Sequence, residues 1–118
     1  MATITATQIK NENKWTDANI SDTNLGYLID NVIDYINLMA GTSISNLAAG
    51  TVTVTSAQAP VIKAGVALAM RAYLDKGPQV ATQGQSLMMV VNDPHYKFMS
   101  MVFKNGINML RGRSFERA

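Results

Sequence analysis

The sequence predicts a mainly α-helical protein, a small bundle of about four helices with one or two short extended segments. Three stretches carry the prediction: an amphipathic stretch with both ends marked, an apolar stretch closed by Gly77-Pro78, and a last one opened by Asp93-Pro94. At 118 residues the chain can bury a core of its own, so we expect residues 1–118 to form a single domain.

The clearest element is a helix over residues 21–41. Ser21 can accept hydrogen bonds from the first turn, and Gly41 suits the left-handed residue that ends a helix. At about 100° per residue its residues separate into an apolar arc and a polar arc. The apolar arc holds Leu25, Leu28, Ile29, Val32, Ile33, Tyr35, Ile36 and Met39, and the polar arc Thr23, Asp30, Asp34 and Asn37.

Three further elements complete the first two thirds of the chain. Residues 3–14 predict a short helix capped by Thr3 or Thr5, and residues 51–55 alternate so that both valines share one side of a short strand. Residues 56–76 predict a helix that is apolar on most sides and therefore buried, with small residues that let two neighbours approach closely. We expect a core that includes Ile29, Val32, Ile36, Met70 and Phe103.

The C-terminal third is harder to interpret. Residues 78–86 have the composition of a loop, and residues 87–91 form an apolar run that predicts a strand or a sheet edge. The last helix should end at Gly112, leaving residues 113–118 as a flexible tail. On this helix Lys97, Lys104 and Arg111 form a basic stripe, opposite a core face of Met99, Val102, Phe103, Gly106, Ile107 and Leu110.

No residue pattern predicts catalysis, a cofactor or a metal. The chain has no cysteine, which excludes disulfides and thiolate ligands, and it has no Walker, Rossmann or zinc-ligand spacing. His95 beside Asp93 is better read as a surface residue than as a base, and Asp30 with Asp34 supply too few oxygens for calcium. No apolar run approaches the roughly 18 residues that cross a bilayer. We therefore expect neither an enzyme nor a membrane protein.

Charge is scarce and uneven. Charged residues make up 15% of the chain, against about 25% in an average soluble domain. Residues 1–59 hold five acids and two bases, for a net charge of −3, and residues 60–118 hold three acids and eight bases, for +5. Either neutral polar residues simply replace charges, or neighbouring copies cover the surface. In the second case the acidic face of Asp30 and Asp34 would lie near the basic face of Lys97 and Lys104 in the next copy.

The order of these pieces resembles the small head–tail connector (adaptor) proteins of long-tailed phages and prophages. The likeness covers residues 4–77. It begins with Ile4-Thr5 and Lys10, continues through an acidic turn and a helix ending in glycine, and closes with an alanine- and leucine-rich helix from Ala64 to Gly77. The second helix carries the family's pattern as Asp22, Leu25, Leu28-Ile29, Val32, Tyr35-Ile36 and Gly41, with Val32 where the family often has alanine.

The resemblance implies a structural virion protein that is assembled in the host cytoplasm. It would form a ring of about a dozen copies beneath the portal, beside a tail or stopper protein, with DNA passing through the lumen without sequence specificity. The candidate portal-binding segment consists of Arg111, Arg113, Phe115 and Arg117, in which an aromatic ring stands between cations. The alternative is a small helical nucleic-acid-binding or regulatory protein that uses the basic C-terminal half.

Overall fold

The chain folds as a helical bundle with one small two-stranded sheet, so the predicted fold class is confirmed. A computed structural model describes residues 2–45, 51–77 and 86–117. In chain order these residues form β1 (Ala2–Thr5), α1 (Ala6–Asn13), α2 (Asp22–Ala40), β2 (Thr51–Val54), α3 (Ala59–Lys76), α4 (Ser86–Val91), a 3₁₀ turn (Pro94–Tyr96) and α5 (Lys97–Arg117). Most of the loop predicted over residues 78–86 lies outside the described residues.

Helix α2 has the ends and the buried face that its sequence predicts. The Ser21 hydroxyl accepts a hydrogen bond from the Asn24 amide at 3.1 Å, and Gly41 has a φ of 72°. Every residue of the predicted apolar arc is buried except Met39, which lies in the last turn and is 37% exposed. The helix therefore contributes one continuous face to the core.

Helix α3 packs against both α2 and α5, and Gly65 makes this possible. A Cβ atom at Gly65 would lie 2.6 Å from Cγ1 of Val32 on α2 and 2.7 Å from Cε1 of Phe103 on α5. The prediction that small residues admit two close neighbours is therefore confirmed. All five residues predicted for the core are at most 1% exposed. The rings of Tyr35 and Phe103 also touch, with centroids 5.6 Å apart.

The N-terminal segment differs from its prediction. Residues 2–5 form β1, which pairs antiparallel with β2 so that Ile4 lies opposite Val52. Helix α1 begins only after Thr5, whose hydroxyl caps it by accepting from the Gln8 amide at 3.0 Å. Thr5, one of the two predicted caps, is therefore confirmed and Thr3 is not. The strand was missed because its four residues alternate too briefly to recognise and its partner lies some fifty positions away. The predicted strand at residues 51–55 is confirmed, with Val52 and Val54 both buried.

Two predictions in the C-terminal third are wrong. Residues 86–91 are helical rather than extended, because Leu87, Val90 and Val91 all face the core, which a helix allows and an alternating strand does not. Gly112 does not end α5, whose described backbone continues as a helix to Arg117. A glycine inside a helix costs about 1 kcal/mol but does not force an end. The mobility of residues 113–118 stays a prediction.

An ion-paired lysine joins α1 to the start of α2. The side chain of Lys10 is 8% exposed, and its ammonium lies 2.6 Å from a carboxylate oxygen of Asp17 and 2.6 Å from one of Asp22. Hydrogen bonds to the two carboxylates raise the pKa of Lys10, and the bond to Lys10 lowers the pKa of Asp17. These two ion pairs hold the linker between α1 and α2 in place, and with it the start of α2 at Asp22.

Candidate functional site

Helix α5 carries apolar residues on two faces, and one of these faces has no partner among the described residues. Its inner face places Phe103, Ile107 and Leu110 in the core. Its outer face exposes a row that we call the α5 strip. The strip consists of Phe98 (74% exposed), Met101 (49%), Val102 (47%) and Met109 (64%), with Asn105 among them. Large apolar side chains on a surface, gathered in one row, are typical of a contact with another molecule.

A groove of about 440 Å³ runs beside the α5 strip. One wall consists of Val102, Asn105 and Met109 of α5, and the other is formed at the start of α3. The two helices come close here because Gly106 lies against Val61, whose Cγ2 would be 2.9 Å from a Cβ atom at that position. This second wall, which we call the α3 wall, contains Pro60, Val61 and Ala64 of α3 and Ala57 of the turn before it, so the whole groove is predominantly apolar.

The predicted basic stripe is divided in the structure. Lys97 and Lys104 are exposed and line a second groove of about 410 Å³, together with Asn105 and Asn108. Arg111 points elsewhere: it donates two hydrogen bonds to the carbonyl oxygen of Met39, one of them from Nε at 2.9 Å. Arg111 therefore satisfies the C-terminal end of α2. The side chains of Arg113, Phe115 and Arg117 lie outside the described part of the chain, and their portal-binding role stays a prediction.

The predicted acidic face is present on α2. Asp30 is partly buried and Asp34 is exposed one turn further along. Burial, and secondarily the negative charge of Asp34, raise the pKa of Asp30. Among the described residues no lysine or arginine forms an ion pair with Asp30, and the structure does not bring it to Lys97 or Lys104 of the same chain. A cation from outside the chain would relieve this carboxylate.

Several bases of the C-terminal half are occupied within the chain. Lys63 lies 3.2 Å from Glu12, Arg71 lies 3.8 Å from Asp75, and Lys76 lies 3.1 Å from Asp93. With Arg111, four of the eight bases in residues 60–118 therefore already contact an acid or a carbonyl. The surplus positive charge that the sequence shows is only partly available for a partner.

His95 belongs to a polar cluster between the end of α3 and the start of α5. Its amide donates to Asp93 at 3.0 Å, its exposed ring lies 3.8 Å from Asp75, and Tyr96 donates its hydroxyl to Asp75 at 3.0 Å. Burial and the Asp75 hydrogen bond raise the pKa of Tyr96, and the His95 amide and Lys76 lower that of Asp93. These contacts cap the turn and tie two helices together, which agrees with the surface role expected for His95.

The described ranges show neither a cluster of metal-ligating side chains nor a membrane-spanning helix. Residues 2–45, 51–77 and 86–117 contain no group of three histidine, cysteine or acidic side chains placed to hold a metal ion. Within the same ranges, no helix combines the length and the apolar character needed to span a bilayer.

The sequence analysis missed the α5 strip and placed Val102 on the core face, where the structure leaves it 47% exposed. The cause is that α5 is apolar on two sides, whereas the sequence analysis assumed a single apolar face that packs in the core. The signal that could have separated them is the spacing of Phe98, Val102 and Met109, which lie about 40° or less apart when viewed down the helix, well away from Phe103 and Ile107.

Comparison with known proteins adds no relative to this description. The chain has no significant match among protein-family models, curated proteins or solved structures. What the protein does has to be inferred from its surfaces, among them the α5 strip and the acidic face of α2.

Proposed function

We propose that the chain is a structural subunit that assembles with copies of itself into a ring, as a head–tail connector beneath the portal of a phage or prophage capsid. The α5 strip carries the proposal, because it places four large apolar side chains on the surface of a protein that is otherwise short of charge. Large exposed apolar patches are uncommon on monomeric proteins, and burying this one against a neighbouring copy would stabilise the assembly through the hydrophobic effect.

In this role the ring of about a dozen copies would be a passage and a gasket with no catalytic activity. By the resemblance in residues 4–77, one side of the ring contacts the portal and the other a tail or stopper protein. DNA passes through the lumen without sequence-specific contacts. The protein would reach the virion after assembly in the host cytoplasm.

The alternative, nucleic-acid binding by the C-terminal half, has less support. Sequence-independent binding of duplex DNA needs several free cations along one track. Of the eight bases in residues 60–118, Lys63, Arg71, Lys76 and Arg111 are already engaged within the chain. The other four are Lys97 and Lys104, which are exposed on α5, and Arg113 and Arg117, and so few cations give weak, strongly salt-sensitive binding.

Negative-stain microscopy of the purified protein, combined with light scattering over a concentration series, tests the proposal. We expect rings, and we expect Phe98→Ser to shift the population towards monomers because it removes the most exposed apolar group of the strip. Leu74→Ser is the matched control, since Leu74 is also exposed, at 54%, but belongs to α3 and is not part of the strip. A protein that stays monomeric throughout and binds random duplex DNA with a steep salt dependence would support the alternative.

The C-terminal segment gives a second test of the connector role. Deletion of residues 113–118 should leave the helical circular dichroism signal and the melting temperature almost unchanged, while co-purification with the portal protein is lost. The reason is that Phe115 between Arg113 and Arg117 offers an aromatic anchor with flanking cations. Undiminished portal binding by the shortened protein would exclude the segment and direct attention to residues 78–86.

A further inference from the structure

The outer face of α2 exposes apolar side chains as well as carboxylates. Tyr27 is 48% exposed and Leu38 is 68% exposed, although α2 is the helix around which the core is built. Together with Asn31 and Asp34 these residues occur at positions 27, 31, 34 and 38, a spacing that places them in one row along a helix. We call this row the α2 stripe. It carries a large apolar group at each end and polar groups between them.

The α5 strip repeats the spacing of the α2 stripe. Its central row, Phe98, Val102, Asn105 and Met109, advances by four, three and four residues, as does the α2 stripe. Each row covers twelve residues, and its ends are about 16 Å apart at the rise of an α-helix. Two rows of equal length and spacing can lie side by side with the large side chains of one between those of the other, as in helix pairs generally.

The charges beside the two rows decide which pairing is favoured. Asp34 belongs to the α2 stripe and Asp30 lies beside it on the same helix. Lys97 and Lys104 lie beside the α5 strip on α5. Packing α5 against α5 of another copy would bring lysines towards lysines, and packing α2 against α2 would bring carboxylates towards carboxylates. Of these three pairings, only the mixed one brings opposite charges towards each other, and complementary charge suppresses the wrong partner more strongly than it adds affinity.

We infer that the α5 strip of one copy packs against the α2 stripe of a second copy. The inference rests on the proposed function, because it identifies the surfaces that join neighbouring subunits. Each chain carries both surfaces, so the contact is heterologous, and copies can be added until the ring closes. A standard interface takes roughly 800 Å² from each partner, so the contact would also cover the adjoining α3 wall of the groove.

The raised pKa of Asp30 agrees with this contact. The carboxylate is partly buried near Asp34, and no lysine or arginine of the described ranges forms an ion pair with it. A lysine of the neighbouring copy would favour the ionised form and return the pKa towards its ordinary value.

Single-cysteine variants test the contact, and the chain has no native cysteine to give a background. Leu38→Cys protein is mixed with Met109→Cys protein or with Phe98→Cys protein under mild oxidation. We expect a mixed disulfide in one of the two mixtures, and which mixture reacts gives the direction of the helices. Gln8→Cys, an exposed position on α1, is the control partner and should give no mixed product.

Charge exchange gives an independent measurement. Asp30→Lys with Asp34→Lys should weaken assembly at low salt, as should Lys97→Asp with Lys104→Asp, and the chain carrying all four changes should recover it. Mixed disulfides no more abundant than with Gln8→Cys, or disulfides between two α5 cysteines in excess of mixed ones, would overturn the inference. Rings that bind the portal but give no mixed disulfide would overturn this contact alone and leave the connector proposal standing. Mixed disulfides in a protein that does not bind the portal would support the contact and count against the connector.

Discussion

Helices α2 and α5 have similar lengths, 19 and 21 residues, yet they divide their side chains differently. In α2 one broad apolar arc is buried and the opposite side is mostly polar, with Tyr27, Leu38 and Met39 as the exposed large apolar groups. In α5 the buried residues Phe103, Ile107 and Leu110 occupy one face, and an apolar row of comparable length occupies another. The buried arc of α2 is therefore explained by packing within the single chain. The outer row of α5 is not, because its apolar side chains stay exposed among the described residues.

The largest effect should come from the buried face of α2. Ile36 is fully buried, so Ile36→Ala should lower the free energy of unfolding by about 2 to 5 kcal/mol, through lost burial and the cavity left behind. Met109→Ala, on the outer face of α5, should change it by less than about 0.5 kcal/mol. Chemical denaturation of the dilute monomer measures both. A large loss at Met109 would mean that the strip belongs to the core after all.

Glycines provide a second comparison, between a crowded and an open helix position. Gly65→Ala should destabilise the protein by about 1 to 3 kcal/mol, because the added methyl would overlap Val32 and Phe103. Gly26→Ala on α2 meets no atom within 4 Å and should instead stabilise by about 0.5 to 1 kcal/mol. Thermal unfolding followed by circular dichroism gives both signs. If the two variants behaved alike, the close approach of α2, α3 and α5 at Gly65 would be wrong.

Two residues of the basic stripe of α5, Arg111 and Lys104, should differ in how much they contribute to monomer stability. Arg111→Ala removes the hydrogen bonds to the Met39 carbonyl and should cost about 0.5 to 1.5 kcal/mol of monomer stability. Lys104→Ala should leave monomer stability unchanged and act only on assembly. Equal small effects from both variants would show that Arg111 does not hold the end of α2 in solution.

The smallest effect concerns Asp30 and has a defined sign with pH. Its folded-state pKa lies above its ordinary value of 3.8, so the folded protein binds more protons between the two values, and stability falls as the pH rises through that interval. Asp30→Asn should therefore stabilise the monomer at pH 7, by less than about 0.5 kcal/mol because the carboxylate is partly exposed. The gain should vanish below pH 3.8.

Assembly supplies the opposite readout for the same variant. Because Asp30→Asn removes one carboxylate of the inferred contact, it should weaken self-association while the monomer gains stability. Urea denaturation of dilute protein and light scattering of concentrated protein separate the two effects. A variant that lost monomer stability at pH 7 would show that Asp30 has a favourable partner within its own chain.

How much could be predicted from the sequence follows from how local each signal is. Ser21 and Gly41 fix the ends of α2 through bonds and angles within one turn, and Val52 with Val54 share a side because of strand geometry alone. The strand at Ile4 depends on pairing with Val52, a contact that no local window contains. Two ion pairs are also non-local: Lys63 pairs with Glu12, 51 positions away, and Lys76 pairs with Asp93, 17 positions away. The net charge of the C-terminal half, which is all that the sequence gives, therefore does not show which of its bases are already paired.

Of the residues in the proposed contact, the sequence analysis named only the charged ones, and their role stays a prediction. Asp30, Asp34, Lys97 and Lys104 stand out in sequence because charges are few, and the structure leaves the two lysines and Asp34 exposed. The spacing of Phe98 and Met109 separates them from Phe103 and Ile107 as a second row, but it does not say which of the two rows meets the rest of the chain. Only the placement of α3 against the Gly106 side of α5 decides that.

The pairing of β1 with β2 has a consequence for the order in which the molecule forms. Ala2 meets Val54, so residues 2–5 stay without their partner until residues 51–54 have also been synthesised. Helix α2 needs only local contacts and can form early, whereas closing the long loop between the strands costs entropy and comes late. Anything that holds the N-terminus away from β2, such as a bulky fusion placed directly before Ala2, should therefore slow the final step of folding while leaving the helices intact.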